Sequence, residues 1–349
     1  MQPPLNIGGI EIQPGTRKLI QLPLPEFYTY APTTMPIHVV HGRNPGARLL
    51  VTSAVHGDEI NGVEIIRRLL GHKSLERIKG TLLLIPVVNV FGFVGQSRYL
   101  PDRRDLNRSF PGSPKGSMAS RLAHVIMSEV LPHCTHVVDL HTGAINRENL
   151  PQIRTTLNGN QELEELAKAF NAPVVLDANL RDGTFRDAAH RKGIQALVYE
   201  AGEALRFDEV SIRAGAAGVL NILSHLGMTR KRVHRKEHHP LIAKSSQWVR
   251  APQSGVARSL VALGAKVSVG DDLAYISDPS GDHEEVIKSA VAGIVIGRTR
   301  LPLVHEGEAI FHIAKFSQTS KAAESVENFQ DAFDPETDTT ESEEPPLIG

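Results

Sequence analysis

Compact apolar runs alternate with helical patterns through the first two thirds of the chain. Apolar runs are typical of buried strands, and apolar residues repeated every three or four positions are typical of helices. The predicted strands cover residues 35–40, 48–54, 81–90, 136–140, 173–176 and 196–200. The predicted helices cover residues 62–70, 118–130, 161–170 and 207–226. This alternation predicts an α/β domain whose sheet is covered by helices.

The pattern changes after Leu226, where short apolar stretches are separated by glycines. We predict short strands there, at residues 247–250, 255–263, 266–269, 272–277, 285–288, 293–298 and 309–314. Short strands with regular turn signals indicate a small all-β domain, either a barrel or a sandwich.

Five segments follow from these patterns and from local charge. They are an N-terminal arm (1–30), an α/β domain (31–228), a basic connector (229–244), a β-rich C-terminal domain (245–316) and an acidic tail (317–349). Residues 322–349 contain nine acidic residues and no basic one. High charge with low hydrophobicity predicts that this tail is disordered.

Composition narrows the class of partner. The 349 residues carry a formal net charge of −1, so no overall field directs the chain to nucleic acid or to a membrane. The basic stretch 230–239 lacks aromatic residues, which favours a solvated connector over a nucleic-acid site. No apolar run approaches the roughly 20 residues of a membrane span. One cysteine and an N-terminus without a signal-peptide pattern predict a cytoplasmic protein.

Candidate metal ligands follow two of the predicted buried strands. His56 and Glu59 lie three residues apart after the strand that ends at residue 54, and Gly57 is expected to allow a sharp turn between them. His141 is expected to end the strand 136–140. Ligands of open α/β sheets bind at the carboxyl ends of strands. Two histidines and one carboxylate with an open fourth position form a ligand set of catalytic zinc.

Glu200 ends a third predicted strand, so a carboxylate is expected beside the metal. Such a group can take a proton from water and pass it to a leaving amine. Glu203, three residues later, is the alternative for this role.

Arginines that precede residue 110 complete the candidate site. Arg108 can hold a substrate carboxylate with its planar fork, supported by Asn107. Arg98 can stabilise negative charge on a reacting carbonyl oxygen, and Arg103 and Arg104 are the alternatives for that role.

Taken together and in this order, these motifs resemble the succinylglutamate desuccinylase/aspartoacylase family, which is related to the zinc carboxypeptidases. The resemblance covers roughly residues 46–226. It implies a zinc-carboxypeptidase-like mixed sheet flanked by helices, followed by a small all-β, lipoyl-like C-terminal domain. By this resemblance, His56, Glu59 and His141 bind one Zn²⁺ per chain.

The same resemblance implies roles for the other candidates. Glu200 matches the general base, and Arg98 matches the group that polarises the substrate carbonyl. Asn107 and Arg108 belong to the segment Asp-Leu-Asn-Arg that binds the substrate carboxylate. The expected substrate is therefore a small carboxylate-bearing molecule, such as an N-acyl amino acid, and the expected reaction is hydrolysis of its linear amide bond.

Two other functions remain open at this point. A metallocarboxypeptidase acting on a short peptide or a glutamyl C-terminus needs the same groups. A non-catalytic binding module that retains the fold is the alternative of a different class. The β-rich domain shows no lysine in a Met-Lys turn, so no carried cofactor is predicted. The sequence is compatible with a homo-oligomer and does not identify the acyl group.

Overall fold

The computed structural model describes residues 1–27, 29–230 and 240–333. Most of the predicted basic connector and the last part of the predicted acidic tail lie outside these ranges. Among the described residues, no helix combines the length and the apolarity that crossing a bilayer requires.

The strands of the α/β part are β1 Leu5–Ile7, β2 Ile10–Ile12, β3 Thr16–Pro23, β4 Thr34–His41, β5 Arg48–Ser53, β6 Thr81–Ile85, β7 His136–Gly143, β8 Arg147–Thr155, β9 Val174–Asp177 and β10 Gln195–Glu203. Those that follow are β11 Leu241–Ala243, β12 Ser245–Arg250, β13 Gly255–Ser259, β14 Lys266–Val267, β15 Asp272–Ser277, β16 Glu284–Lys288, β17 Gly293–Thr299, β18 Leu303–Val304 and β19 Ala309–Lys315. The helices are α1 Asn61–Gly71, α2 Val90–Val94, α3 Met118–Val125, α4 Gln161–Phe170, α5 Phe185–Arg191, α6 Glu209–His225 and α7 Thr319–Phe333.

Thirteen of the described strands form one mixed sheet. Its main path runs β12-β19-β17-β8-β10-β7-β5-β6-β4-β3, and β9, β11 and β14 pair beside it. The central strands β6, β5, β7 and β10 are parallel, so their carboxyl ends meet at one edge. A four-stranded antiparallel sheet, β16-β15-β13-β18, completes the β-rich region.

Helices bury both faces of the central sheet. Successive side chains along β5 point to opposite faces, and both sets are buried. Leu50 packs into one apolar cluster, with Leu122 and Phe185 from α3 and α5. Its neighbours Leu49 and Val51 point the other way and join the cluster formed with α1, α4 and α6. The mixed sheet flanked by helices, expected from the sequence, is confirmed.

Several elements differ from the sequence expectations. The predicted strand 81–90 ends at Ile85 and is followed by the short helix α2, which begins at Val90. Strand β8 and helix α5 were not predicted from the sequence. The β-rich region was expected to be a separate domain, whereas β17 pairs with β8 and joins this region to the main sheet.

The expectation of a disordered tail from residue 317 is wrong for residues 319–333, which form α7. Ala322, Val326 and Phe329 recur at intervals of four and three residues, so they share one helix face, and all three are buried. Ala322 and Val326 pack against Leu150 and Ile294. Burial of this apolar stripe stabilises the helix although the segment carries acidic side chains on its exposed face.

We expect Phe329→Ala to lower the free energy of unfolding by about 3 kcal/mol, because it removes a fully buried ring and leaves a cavity. The neighbouring Asn328→Ala is the control, since Asn328 is exposed on the same helix and its loss should change stability by less than about 0.5 kcal/mol. Urea denaturation of both variants measures the difference. Equal midpoints would show that α7 does not dock in solution.

Candidate metal centre and active site

The connection between β5 and α1 carries His56 and Glu59. Gly57 lies in the turn expected there, which is closed by a hydrogen bond from the Glu59 backbone N–H to the His56 carbonyl oxygen at 3.1 Å. Glycine is also needed for a second reason, since a Cβ at this position would lie 2.0 Å from the backbone carbon of Gly92 in α2. Close contact with α2 thus fixes the loop that presents both candidate ligands.

His141 and Glu200 are neighbours across two parallel strands. His141 was expected to end its strand, but β7 continues to Gly143. Glu200 pairs in register with His141, and β10 also extends past it, through a bulge, to Glu203. The third candidate ligand and the candidate base are therefore held by adjacent strands inside the sheet, where main-chain hydrogen bonds fix their positions.

The side chains of His56, Glu59 and His141 converge on one point. Their ligand atoms lie within 4.8 Å of one another, and all three residues are buried. Glu59 accepts from both rings: its Oε1 is 2.7 Å from His56 Nδ1 and its Oε2 is 2.7 Å from His141 Nδ1. Thr142 donates its backbone N–H to Glu59 Oε2 at 3.1 Å.

Two further carboxylates hold the outer nitrogens of these rings. Asp105 Oδ1 is 3.2 Å from His56 Nε2, and Asp139 Oδ2 is 2.8 Å from His141 Nε2. Thr52 donates to the other oxygen of Asp139 at 2.6 Å. Carboxylates that bind the second ring nitrogen orient metal-ligating histidines and raise their basicity. Neither aspartate was assigned a role from the sequence.

Burial and close pairing of charges act in opposite directions on the pKa values of this cluster. Burial opposes ionisation of Glu59, but the neighbouring His56 and His141 hold its pKa well below the usual value. Burial likewise opposes a charged His141 ring, but Asp139 and Glu59 hold its pKa well above the usual value. Close pairing of opposite charges thus favours the ionised form of both groups despite their burial.

Arg98 borders the cluster and is fixed by Asp105. Its Nε and Nη2 donate to Asp105 Oδ2 at 3.2 and 2.9 Å. Its Nη1 lies 3.3 Å from Glu59 Oε1. Arg103 and Arg104, the sequence alternatives, are exposed and do not line the cavity described next.

A cavity of about 480 Å³ opens over the cluster. Its wall includes all seven residues that the sequence analysis selected: His56, Glu59, Arg98, Asn107, Arg108, His141 and Glu200. Seven arginines line it in total, namely Arg98, Arg108, Arg147, Arg154, Arg181, Arg186 and Arg298. The acidic residues of the wall are Glu59, Asp139 and Glu200. The surplus of positive charge suits an anionic ligand.

Asn107 and Arg108 reach this wall from a short helical turn after Asp105. Asn107 Oδ1 accepts the backbone N–H of Phe185 at 2.8 Å, which ties the turn to α5. Arg108 is exposed at the cavity, and its Nη1 donates to the Asn107 carbonyl oxygen. No carboxylate of the described residues lies within salt-bridge distance of Arg108, so its guanidinium is available to a ligand.

Glu200 is held by residues of β8, a strand that the sequence analysis missed. Asn149 Nδ2 donates to Glu200 Oε2 at 2.8 Å, and Arg154 Nη1 lies 3.5 Å from Glu200 Oε1. Glu203 is placed differently: it accepts the backbone N–H of Asn146 at 3.0 Å and does not line the cavity.

Comparison with known proteins gives a consistent result. Residues 45–226 match the model of the succinylglutamate desuccinylase/aspartoacylase catalytic domain. N-alpha-acetyl-L-2,4-diaminobutyric acid deacetylase from Halomonas elongata is 27% identical over 296 residues, which cover 80% of this chain and 85% of that protein.

Solved structures agree along nearly the whole described chain. A succinylglutamate desuccinylase/aspartoacylase from Rhodobacter sphaeroides superposes with a TM-score of 0.78 at 25% identity, covering 86% of this chain and 95% of that one. The product-bound ectoine utilization protein EutE (DoeB) from Ruegeria pomeroyi gives 0.78 at 26% identity, with the same coverage. The family model spans more than half of the sequence, and the chain belongs to the succinylglutamate desuccinylase/aspartoacylase family.

Proposed function

We propose that this protein is a zinc-dependent hydrolase that cleaves the amide bond of a small N-acyl amino acid. The observation that carries the proposal is the convergence of His56, Glu59 and His141 within 4.8 Å at the wall of a cavity that also contains Glu200. The Halomonas relative is named as a deacetylase of an acetylated amino acid, which supports this class of substrate.

The donor set fits zinc. Two imidazole nitrogens and one carboxylate oxygen are the protein ligands of many catalytic zinc sites, and Asp105 and Asp139 supply the outer carboxylates that such histidines use. Zinc held by His56, Glu59 and His141 would supply Lewis acidity and an acidified water.

Glu200 acts as the proton carrier in this proposal. Its carboxylate takes a proton from the attacking water and delivers it to the leaving amine nitrogen as the amide C–N bond breaks. The hydrogen bond from Asn149 and the nearby Arg154 fix the orientation of Glu200, so the proton transfer needs little rearrangement.

Arginines bind the substrate and its developing charge. Arg108, with Asn107 beside it, holds the carboxylate of the amino acid, because it is a cavity guanidinium without a carboxylate partner among the described residues. Arg98, fixed by Asp105, stabilises the negative charge that develops on the carbonyl oxygen. The positive cavity favours substrates that carry a free carboxylate.

An activity panel separates this function from its alternatives. We expect turnover of N-acetyl, N-succinyl or N-formyl amino acids, and a large loss for the matching amino acid amides, which lack the carboxylate for Arg108. Amine release, measured with zinc present, is the readout. Turnover of C-terminally free dipeptides alone would indicate a metallocarboxypeptidase, and no turnover of either class would favour a binding module.

Purified protein is expected to contain about one zinc per chain, and His141→Ala to lose it, since two remaining ligands bind zinc weakly. His190→Ala is the matched control, because His190 is exposed and outside the cavity, and it should retain the metal. Mass-spectrometric metal analysis after dialysis measures both. Equal zinc in the two variants would remove His141 from the ligand set.

Glu200→Gln should lower kcat by about a hundredfold to ten-thousandfold without loss of zinc, because the amide cannot carry the proton. Glu203→Gln should leave kcat close to the wild-type value, since Glu203 lies off the cavity. Steady-state kinetics on the best substrate of the panel compare the two. The reverse order would assign the proton transfer to Glu203.

A further inference from the structure

The chain leaves regular strand geometry immediately after the candidate base. Strand β10 pairs in register with β7 and β8 as far as Glu200, and both registers shift beyond it. Gly202 in this bulge, which comprises residues 201–205, has a φ of 76°, and Leu205 has a φ of 57°. Bulges redirect side chains beside active sites, and a left-handed non-glycine residue persists only where its surroundings hold it. The contacts of the bulge therefore bear on the placement of Glu200.

Two hydrogen bonds tie this bulge to the segment that carries the candidate metal ligands. Asn61 Nδ2 donates to the carbonyl oxygen of Ala201 at 3.2 Å. The backbone N–H of Leu205 donates to the carbonyl oxygen of Asp58 at 2.8 Å. Asp58 directly precedes Glu59, and Asn61 follows it by two positions. Residues on both sides of a candidate ligand thus hold the segment that follows the candidate base.

The side-chain amide of Asn61 is buried and has a partner at each end. The residue is 2% exposed. Its Oδ1 accepts the backbone N–H of Asp208 at 3.1 Å, while its Nδ2 makes the bond to Ala201. Asp208 in turn caps α6, since its carboxylate accepts the backbone N–H of Ser211 at 2.6 Å. Partners of opposite polarity fix the orientation of the amide, because a flipped amide would lose both hydrogen bonds.

Tight packing leaves Asn61 little freedom to move. It begins α1, and at the next residue, Gly62, a Cβ would lie 2.2 Å from Ser53 Oγ and 2.8 Å from Leu140 Cβ. The start of α1 thus lies directly against β5 and β7. On the other side, a Cβ at Gly202 would lie 2.5 Å from Asn61 Nδ2. The amide therefore fills the space between the start of α1 and the bulge.

We propose that Asn61 is a positioning residue that sets the distance between Glu200 and the candidate metal site. This inference rests on the proposed amide hydrolysis, in which Glu200 carries the proton. Ala201 adjoins Glu200, so one hydrogen bond joins the main chain of the base to the helix start that follows Glu59. Asn149 fixes the Glu200 carboxylate from β8, and Asn61 fixes its main chain from α1.

Proton transfer depends on this distance, because the base must lie within hydrogen-bond reach of the attacking water. A misplacement of about 1 Å can lower the rate by about a hundredfold. Asn61 does not line the cavity, so it acts on the reaction through Glu200 and not through the substrate.

We expect Asn61→Ala to lower kcat about tenfold to a hundredfold, with KM and zinc content close to the wild-type values, because no residue of the cavity wall is removed. Asn221→Ala is the matched control. Asn221 is also buried, lies in α6 outside the cavity, and has its Nδ2 3.5 Å from the carbonyl oxygen of Phe170. It should retain the wild-type kcat. Steady-state kinetics and metal analysis compare the variants, and a wild-type kcat in folded Asn61→Ala would overturn the inference.

Gly202→Ala tests the same hydrogen bond from the other side, since the added Cβ would displace the Asn61 amide. We expect a similar loss of kcat with little change in KM. The double variant Asn61→Ala/Gly202→Ala should lose no more than the more impaired single variant, because both changes remove one interaction. Losses that multiply would show that the two residues act independently and would contradict the proposal. So would a wild-type kcat in Gly202→Ala.

Crystal structures of the zinc-loaded variants give a readout that does not need turnover. In Asn61→Ala, the separation between zinc and the Glu200 carboxylate should change by about 1 Å, whereas Asn221→Ala should keep the wild-type separation. An unmoved Glu200 would overturn the inference even if kcat were low. Movement of Glu200 in Asn61→Ala, together with a wild-type protein that turns over no N-acyl amino acid, would support the positioning role and contradict the hydrolase instead.

Discussion

A buried carboxylate shared by two imidazoles is the interaction on which the rest of the site depends. Glu59 is 2% exposed, and a charge at that depth is strongly unfavourable unless partners surround it. His56 and His141 are those partners, and Asp105 and Asp139 hold the outer nitrogens of the rings. The arrangement is stable only with positive charge between the ligands, whether from protons or from a metal, which is the requirement of a cation site.

The sequence predicted the centre of this site better than its surroundings. The spacing of His56 and Glu59 after one buried strand and the position of His141 on another placed all three at one sheet edge. Periodicity could not show that Asp139 would turn toward the His141 ring, because a carboxylate two residues before a histidine has no distinctive signal. The sequence predicted the turn at Gly57 but not its close contact with Gly92, which leaves no room for a Cβ at Gly57.

Strand β8 and helix α7 were also not predicted, because their structure depends on contacts with residues distant in the sequence. Strand β8 contains Pro151 and several polar residues, so it lacks the apolar run that indicated the other central strands. It nevertheless supplies Asn149 and Arg154 to Glu200. The acidic composition after residue 317 concealed the apolar spacing of Ala322, Val326 and Phe329. Local composition therefore fails to predict secondary structure where contacts with residues distant in the sequence determine the environment of a segment.

The pairing of β8 with β17 explains how the β-rich region contributes to a site built by the α/β part. A separate domain joined by a connector would leave its position relative to Glu200 variable. Continuous main-chain pairing instead fixes the register of Asn149 against Gly297, and of Gly297 against His312. The same strand, β8, thus orients Glu200 on one side and pairs with the β-rich region on the other. Changes in the β-rich region can therefore alter the outer wall of the cavity without moving His56, Glu59 and His141, because those residues lie on the far side of β10.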